Sequence, residues 1–161
     1  MAVSNTTVLL YLLKIQRLDL LENIFHKIYI TPAVFDELTA QNQYEPEKVL
    51  LERYIESGYI CLFSPKKVHL LPLGLGESSA ISLCLERHEK IFLSDDKRAR
   101  EVARAKEITS LGTVGILIKN VQQKKISAKE GMLLLNMLIE QGFYVSIDLY
   151  REVAQEMVLR E

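Results

Sequence analysis

The sequence predicts an α/β protein in which a central, mainly parallel sheet is covered by helices. Short β-branched or aromatic runs at 27–30, 59–63 and 90–93 alternate with longer segments of helical period. Gly, Pro and hydroxyl residues fall between these segments, where caps and turns need them. A hydrophobic content of 48% in 161 residues suits one domain, residues 1–161, with its own core.

Residues 1–4 read as a very short strand, after which Asn5 or Thr6 can cap a helix to about residue 14. A second helix over 18–25 precedes the 27–30 strand. Thr31 followed by Pro32 is a helix start, because the hydroxyl can cap and proline in the first turn gives up no intrahelical bond. That helix should reach about residue 39. The polar stretch 41–46 reads as a loop, followed by a helix to about residue 56 that Gly58 ends. After the 59–63 strand, Pro65, Pro72, Gly74 and Gly76 mark a connector over 64–76. A helix over 77–88, the 90–93 strand and a helix beginning at Asp95 follow. Beyond a short strand near Ile108, helices are expected at 113–124, 127–140 and 147–160, with Ser127 and Glu130 as a capping box and Ser146 as the last cap.

Composition narrows the function classes. With 20 Lys+Arg against 21 Asp+Glu, binding driven by global positive charge is disfavoured. Two cysteines, Cys61 and Cys84, make no disulfide scaffold, and a reducing cytoplasmic setting is expected. No apolar run approaches the roughly 20 residues of a membrane span, and the N-terminus has no secretory leader pattern. Gly74-Leu75-Gly76 lacks a P-loop lysine, while Ser78 and Ser79 lack a nucleophile elbow. His26, His69 and His88 are widely separated.

The informative feature is a dispersed set of acids on otherwise apolar helix faces or at element starts. Glu77 shares a helical face with Ala80, Ile81 and Cys84, and Glu37 shares one with Ala33, Val34 and Leu38 while Asp36 turns away. Asp95 lies on the side of Ala99 and Val102, with Asp96 rotated by about 100°. Asn5, after the first strand, can be a neutral member of the ring. Carboxylates gathered at the carboxyl ends of parallel strands repel one another unless they are protonated or hold a cation. Mg²⁺ or Mn²⁺ would resolve that conflict and suit phosphodiester hydrolysis. The alternative is that these acids only cap helices or oppose their dipoles.

Beyond these acids, Lys97, Arg98, Arg100 and Arg104 form a basic segment, with Arg100 and Arg104 on one helix face. They are candidate phosphate contacts; the alternative is a solvated face paired with Glu101 and Glu107. Seven tyrosines and five phenylalanines are assigned first to packing. Leucine-rich segments at 133–139 and 149–159 suit either the core or a partner groove.

Val3-Ser4-Asn5-Thr6-Thr7, Thr31 to Leu38, Gly74-Leu75-Gly76-Glu77, Leu93 to Arg100 and Gly112 to Leu117 follow one another in an order and spacing that resembles a bacterial or archaeal PIN-domain protein, particularly the DUF3368 group and relatives of VapC-type toxins. The resemblance implies a three-layer α/β/α fold, a divalent-metal acidic site, and an RNase, with RNA as substrate, a small antitoxin as partner and a homodimer as assembly. By resemblance the family's acidic positions fall on Asn5, Glu37, Glu77 and the Asp95-Asp96 pair, with Asp96 the carry-over and Asp95 favoured by the helical face. Thr113 would position water or cap its helix. Asn5 departs from the family's acid: its amide oxygen can bind a cation but lacks the carboxylate charge. An impaired scaffold that binds nucleic acid or protein is therefore the rival expectation.

Overall fold

The computed structural model describes residues 1–41 and 44–159. Part of the expected loop at 41–46 and the end of the expected last helix lie outside these residues.

The first strand, β1 (Ala2–Ser4), is buried on both faces and leads into α1 (Thr6–Lys14). A single turn, α2 (Asp19–Glu22), precedes β2 (Ile28–Ile30), shorter than the helix expected over 18–25. α3 (Pro32–Gln41) starts as the Thr-Pro pair predicts, with the Val34 amide donating to Thr31 Oγ1 at 3.3 Å. α4 (Glu45–Glu56) follows. Gly58 then takes φ +75°, a left-handed conformation that favours glycine, so the chain can turn into β3 (Ile60–Leu62).

α5 (Leu75–Arg87) begins two residues before Glu77, so Gly76 belongs to the helix rather than the connector. β4 (Ile91–Leu93) leads to α6 (Lys97–Ala105), whose cap is Asp96 and not Asp95. Asp96 Oδ1 accepts from the Ala99 amide at 2.6 Å, the span that a side-chain N-cap requires. β5 (Thr109–Leu111), α7 (Thr113–Gln122), α8 (Ala128–Glu140) and α9 (Ile147–Val158) complete the described chain. Ser127 and Ser146 cap α8 and α9 as expected. The Ser127 box is only half formed, because the Glu130 carboxylate goes to Arg17 at 2.7 Å instead of returning to the cap.

All four strand pairings among the described residues are parallel, in the order β3-β2-β1-β4-β5. With its helices the sheet forms the expected three-layer α/β/α arrangement. The chain lays down β1, β2 and β3 in one direction and then returns to place β4 on the other side of β1. The β1/β4 boundary is therefore a topological switch, where loops leave the sheet in opposite directions and open a crevice.

Phe92, Ile28, Ile30, Leu9 and Leu13 are fully buried in the core. Burial pushes the Cys84 thiol up to about 12, which keeps it protonated and unreactive. Asn120 is polar and equally deep. Asn120 on α7 donates to the carbonyls of Leu20 at 3.0 Å and Ile116 at 2.9 Å, and accepts from Asn23 at 2.7 Å. It thereby ties α2 to α7. Asn120→Ala is expected to cost about 2–3 kcal/mol in urea unfolding, because the Leu20 carbonyl and the Asn23 amide lose their partner. A change within experimental error would show that this clamp contributes nothing.

Among the leucine-rich segments, Leu134, Leu135, Leu138, Val153 and Met157 are core residues, whereas Leu133, Ile147 and Leu159 are exposed. None of the described helices is long and apolar enough to cross a membrane.

Candidate active site

Every β-to-α turn at the carboxyl edge of the sheet ends in a helix N-terminus, so backbone amides with partial positive charge gather there. The acids singled out by sequence sit at this edge.

Asn5 leaves β1 with its amide donating to the Leu93 carbonyl at 2.8 Å, which pins it across the β1/β4 switch. It occupies the N-cap position of α1, yet its side chain makes no capping bond. Asn5 Nδ2 instead donates to Glu77 Oε1 at 3.4 Å. Asn5 Oδ1 is buried and has no hydrogen-bond partner, in a residue only 1% exposed. An unmatched buried acceptor is costly, and a site that receives a ligand is one physical reason to retain it.

Glu37 projects from α3 toward the starts of α1 and α5. Its Oε2 accepts from Thr6 Oγ1 at 2.6 Å and its Oε1 from the Gly76 amide at 3.2 Å. Through those neighbours Glu37 is brought beside Asn5 and Glu77, whereas Asp36 is exposed, as the helical faces predict. Thr6 and Gly76 are positioning groups that sequence reasoning did not assign. Their signal was adjacency to Asn5 and Glu77 at the first turn of a helix, where hydroxyl and amide donors are unspent.

Gly76 has a second role. A Cβ there would lie 2.5 Å from Glu37 Oε2 and 2.8 Å from its Cδ. Gly76→Ala is expected to displace the Glu37 carboxylate while sparing the fold, since the end of a flexible side chain can move. Any reaction that depends on Glu37 should slow by about tenfold or more, with circular dichroism unchanged. Full activity in the alanine form would show that Glu37 need not stay where Gly76 admits it.

The aspartates divide their tasks. Asp95 receives the Thr113 amide on Oδ1 at 2.7 Å and the Thr113 hydroxyl on Oδ2 at 2.6 Å. Burial raises its pKa above the usual carboxylate value, while both Thr113 donors and the nearby Arg100 oppose that rise. Thr113 is thus spent on Asp95, and because the N-cap residue of α7 is Gly112, it is the Asp95 carboxylate that takes the first amide of that helix. Asp96, besides capping α6, borders a cleft of about 310 Å³ together with Glu77, Gly74 and Arg98.

The basic segment does not act as a single stripe. Lys97, Arg100 and Arg104 line one groove with Glu101 and Glu107, whereas Arg98 faces the cleft of Glu77 and Asp96.

The candidate ligand atoms of the acids are oxygens, and the unmatched Asn5 Oδ1 adds one more, which is chemistry suited to a hard divalent cation. Among the described residues, however, no three His, Cys, Asp or Glu side chains converge in position to hold an ion. Glu37 and Asp95 are turned to protein donors, so their carboxylates would have to exchange those bonds in order to converge.

The PIN-domain profile, in its DUF3368 group, matches residues 1–158. The chain belongs to the PIN-domain family. No curated protein matches it significantly. PIN domains are nuclease-type folds that act on nucleic acid and are generally dependent on divalent metal, which gives this PIN domain's acidic edge its chemical context.

Proposed function

We propose that this PIN domain is a divalent-metal-dependent ribonuclease, weakened by the amide at position 5, that hydrolyses RNA phosphodiester bonds. The observation that carries the reading is the gathering of Asn5, Glu37 and Glu77, through the Asn5–Glu77 bond and through Thr6 and Gly76 on Glu37, with Asp96, which follows β4, sharing the cleft of Glu77. Glu37, Glu77, Asp96 or Asp95, and Asn5 would hold Mg²⁺ or Mn²⁺, which would supply charge neutralisation at phosphate oxygens and a more acidic attacking water.

The protein's own groups have definable tasks. Thr6 and the Gly76 amide orient Glu37, and Thr113 fixes Asp95 through two donors. Arg98, facing the same cleft as Glu77 and Asp96, is placed to receive a phosphate oxygen and offset the repulsion that a polyanion meets at an acidic site. Asp96 is favoured over Asp95 as the cleft-facing acid, because both Asp95 oxygens are occupied by Thr113.

Incubation of the purified full chain with single-stranded RNA should give cleavage with Mg²⁺ or Mn²⁺ and none in chelator. Intact RNA under every metal condition, from protein with a cooperative thermal transition, would sink the proposal. A toxin role would add growth arrest on expression and relief by a small antitoxin; a homodimer would be read from light scattering.

The second reading, a nucleic-acid- or protein-binding scaffold without catalysis, is favoured by one observation. Glu37, Glu77, Asp95 and Asp96 each already accept a protein donor, so the site can be electrostatically quiet without a cation. RNA binding in chelator, without cleavage even by an Asn5→Asp form in Mn²⁺, would select this reading.

A further inference from the structure

Three open clefts on this chain share lining residues. Asp96 closes the cleft of Glu77 and Arg98 and also borders a groove of about 700 Å³ that runs past Asp95 and Arg100 to Tyr144. Arg100 and Ser110 in turn border the groove of about 560 Å³ that contains Lys97 and Arg104. Shared lining residues therefore place the acids, Arg100, a basic stretch and an aromatic ring along neighbouring clefts.

Tyr11, Tyr29, Tyr54 and Tyr59 pack edge-on against other rings. Two tyrosines are exposed, Tyr44 at 60% and Tyr144 at 86%, and of these only Tyr144 borders the groove of Asp95 and Arg100. The connector that carries it is nevertheless anchored. Phe143 meets Tyr11 with ring centroids 5.0 Å apart, Tyr11 donates to the Gly142 carbonyl at 3.3 Å, and Ser146 caps α9. A backbone held on both sides thus presents a large ring to water at the end of a groove that begins at acids and an arginine. The π face of a nucleobase and the anionic phosphate beside it match that pair of groups, since stacking needs an open ring and guanidinium recognises phosphate.

We propose that Tyr144 is a stacking platform for an unpaired nucleobase, with Arg100 holding the phosphate between that base and the acidic residues. The inference deepens the ribonuclease reading and rests on it for the identity of the polymer as RNA. Because bases in a duplex are already stacked on one another, the platform selects single strands; Tyr144 is a positioning residue and takes no part in bond cleavage.

Fluorescence anisotropy in chelator, with a fluorescein-labelled oligouridylate of about ten nucleotides and a duplex of equal length, tests this without requiring catalysis. Tyr144→Ala should weaken single-strand binding about tenfold, Tyr144→Phe should stay within about twofold of the native chain, and duplex binding should be unchanged in both. Arg100→Gln should weaken binding and flatten its dependence on salt by about 0.7 in the logarithmic slope. Native affinity in Tyr144→Ala, an equal loss on single strand and duplex, or no RNA binding by the native chain would each overturn the platform. Tyr144-dependent binding from a chain that cleaves nothing in Mg²⁺ or Mn²⁺ would uphold the platform and remove the nuclease reading.

Discussion

Glu77→Gln is expected to lower metal-dependent RNA cleavage by at least about a hundredfold while leaving the fold intact. Loss of groups that merely support a metal ligand costs about 10–100-fold, so loss of a ligand's own charge should exceed it. Glutamine has the shape of glutamate and keeps an oxygen for Asn5 Nδ2, whose bond is already long at 3.4 Å, so little stability depends on the exchange. What disappears is the negative charge that attracts a cation. The reverse substitution sharpens the test. Asn5→Asp replaces a donor to Glu77 with a second carboxylate in a residue that is 1% exposed, so the two charges repel across a buried gap. The metal-free variant should melt at lower temperature than the native chain, Mn²⁺ should restore much of the difference, and cleavage should rise. Initial rates together with thermal unfolding in chelator and in Mn²⁺ measure both effects. Native rates in Glu77→Gln, or a melting temperature of Asn5→Asp that ignores Mn²⁺, would remove these residues from the proposed metal site.

Phe92→Ala carries the largest expected loss of stability, about 3–5 kcal/mol. Phe92 is fully buried in β4 and pairs in register with Val3 on one side and Ser110 on the other. Truncation removes its apolar contacts and leaves a cavity at the middle of the sheet, where strands on both sides restrict collapse. A fall in melting temperature of about 6–20 °C should follow for a chain of this size. The same strand leads directly to Ser94, Asp95 and Asp96, so the variant should also weaken RNA cleavage before it unfolds globally. A drop of only a degree or two would mean that neighbouring side chains refill the space.

Much of the fold was legible because local signals were strong. Thr31-Pro32 started α3, Gly58 turned the chain after α4, and Ser127 and Ser146 capped α8 and α9, each through chemistry confined to a few neighbouring residues. The 18–25 segment reads as a full helix from its apolar spacing, yet Leu18, Leu20, Leu21 and Phe25 are buried although the backbone stays helical for only one turn. Asp95 was read as the start of α6 from its apolar face, but capping depends on backbone conformation, and Asp96 has the extended geometry whose carboxylate reaches the Ala99 amide.

At the site, residue type and helical phase distinguished Glu37 from Asp36, since an acid on an apolar stripe faces inward wherever the helix packs. Partner identity was out of reach. Thr6 with Glu37 and Thr113 with Asp95 are separated by 31 and 18 residues, and each pair meets only because parallel strands deliver the segments that follow them to one edge. Tyr144 was likewise indistinguishable from its packed counterparts, because a tyrosine carries the same apolar surface whether a neighbour covers it or not.

The sequence by itself determined the α/β alternation, most helix starts and the acids that face inward, because these follow from caps, turns and hydrophobic period within a few residues. Only the tertiary structure decided the β3-β2-β1-β4-β5 order, the Asn5 amide set against Glu77, and the Thr113 clamp on Asp95. Those outcomes depend on which distant segments pack together, and packing between segments far apart in the chain leaves no periodic trace along it.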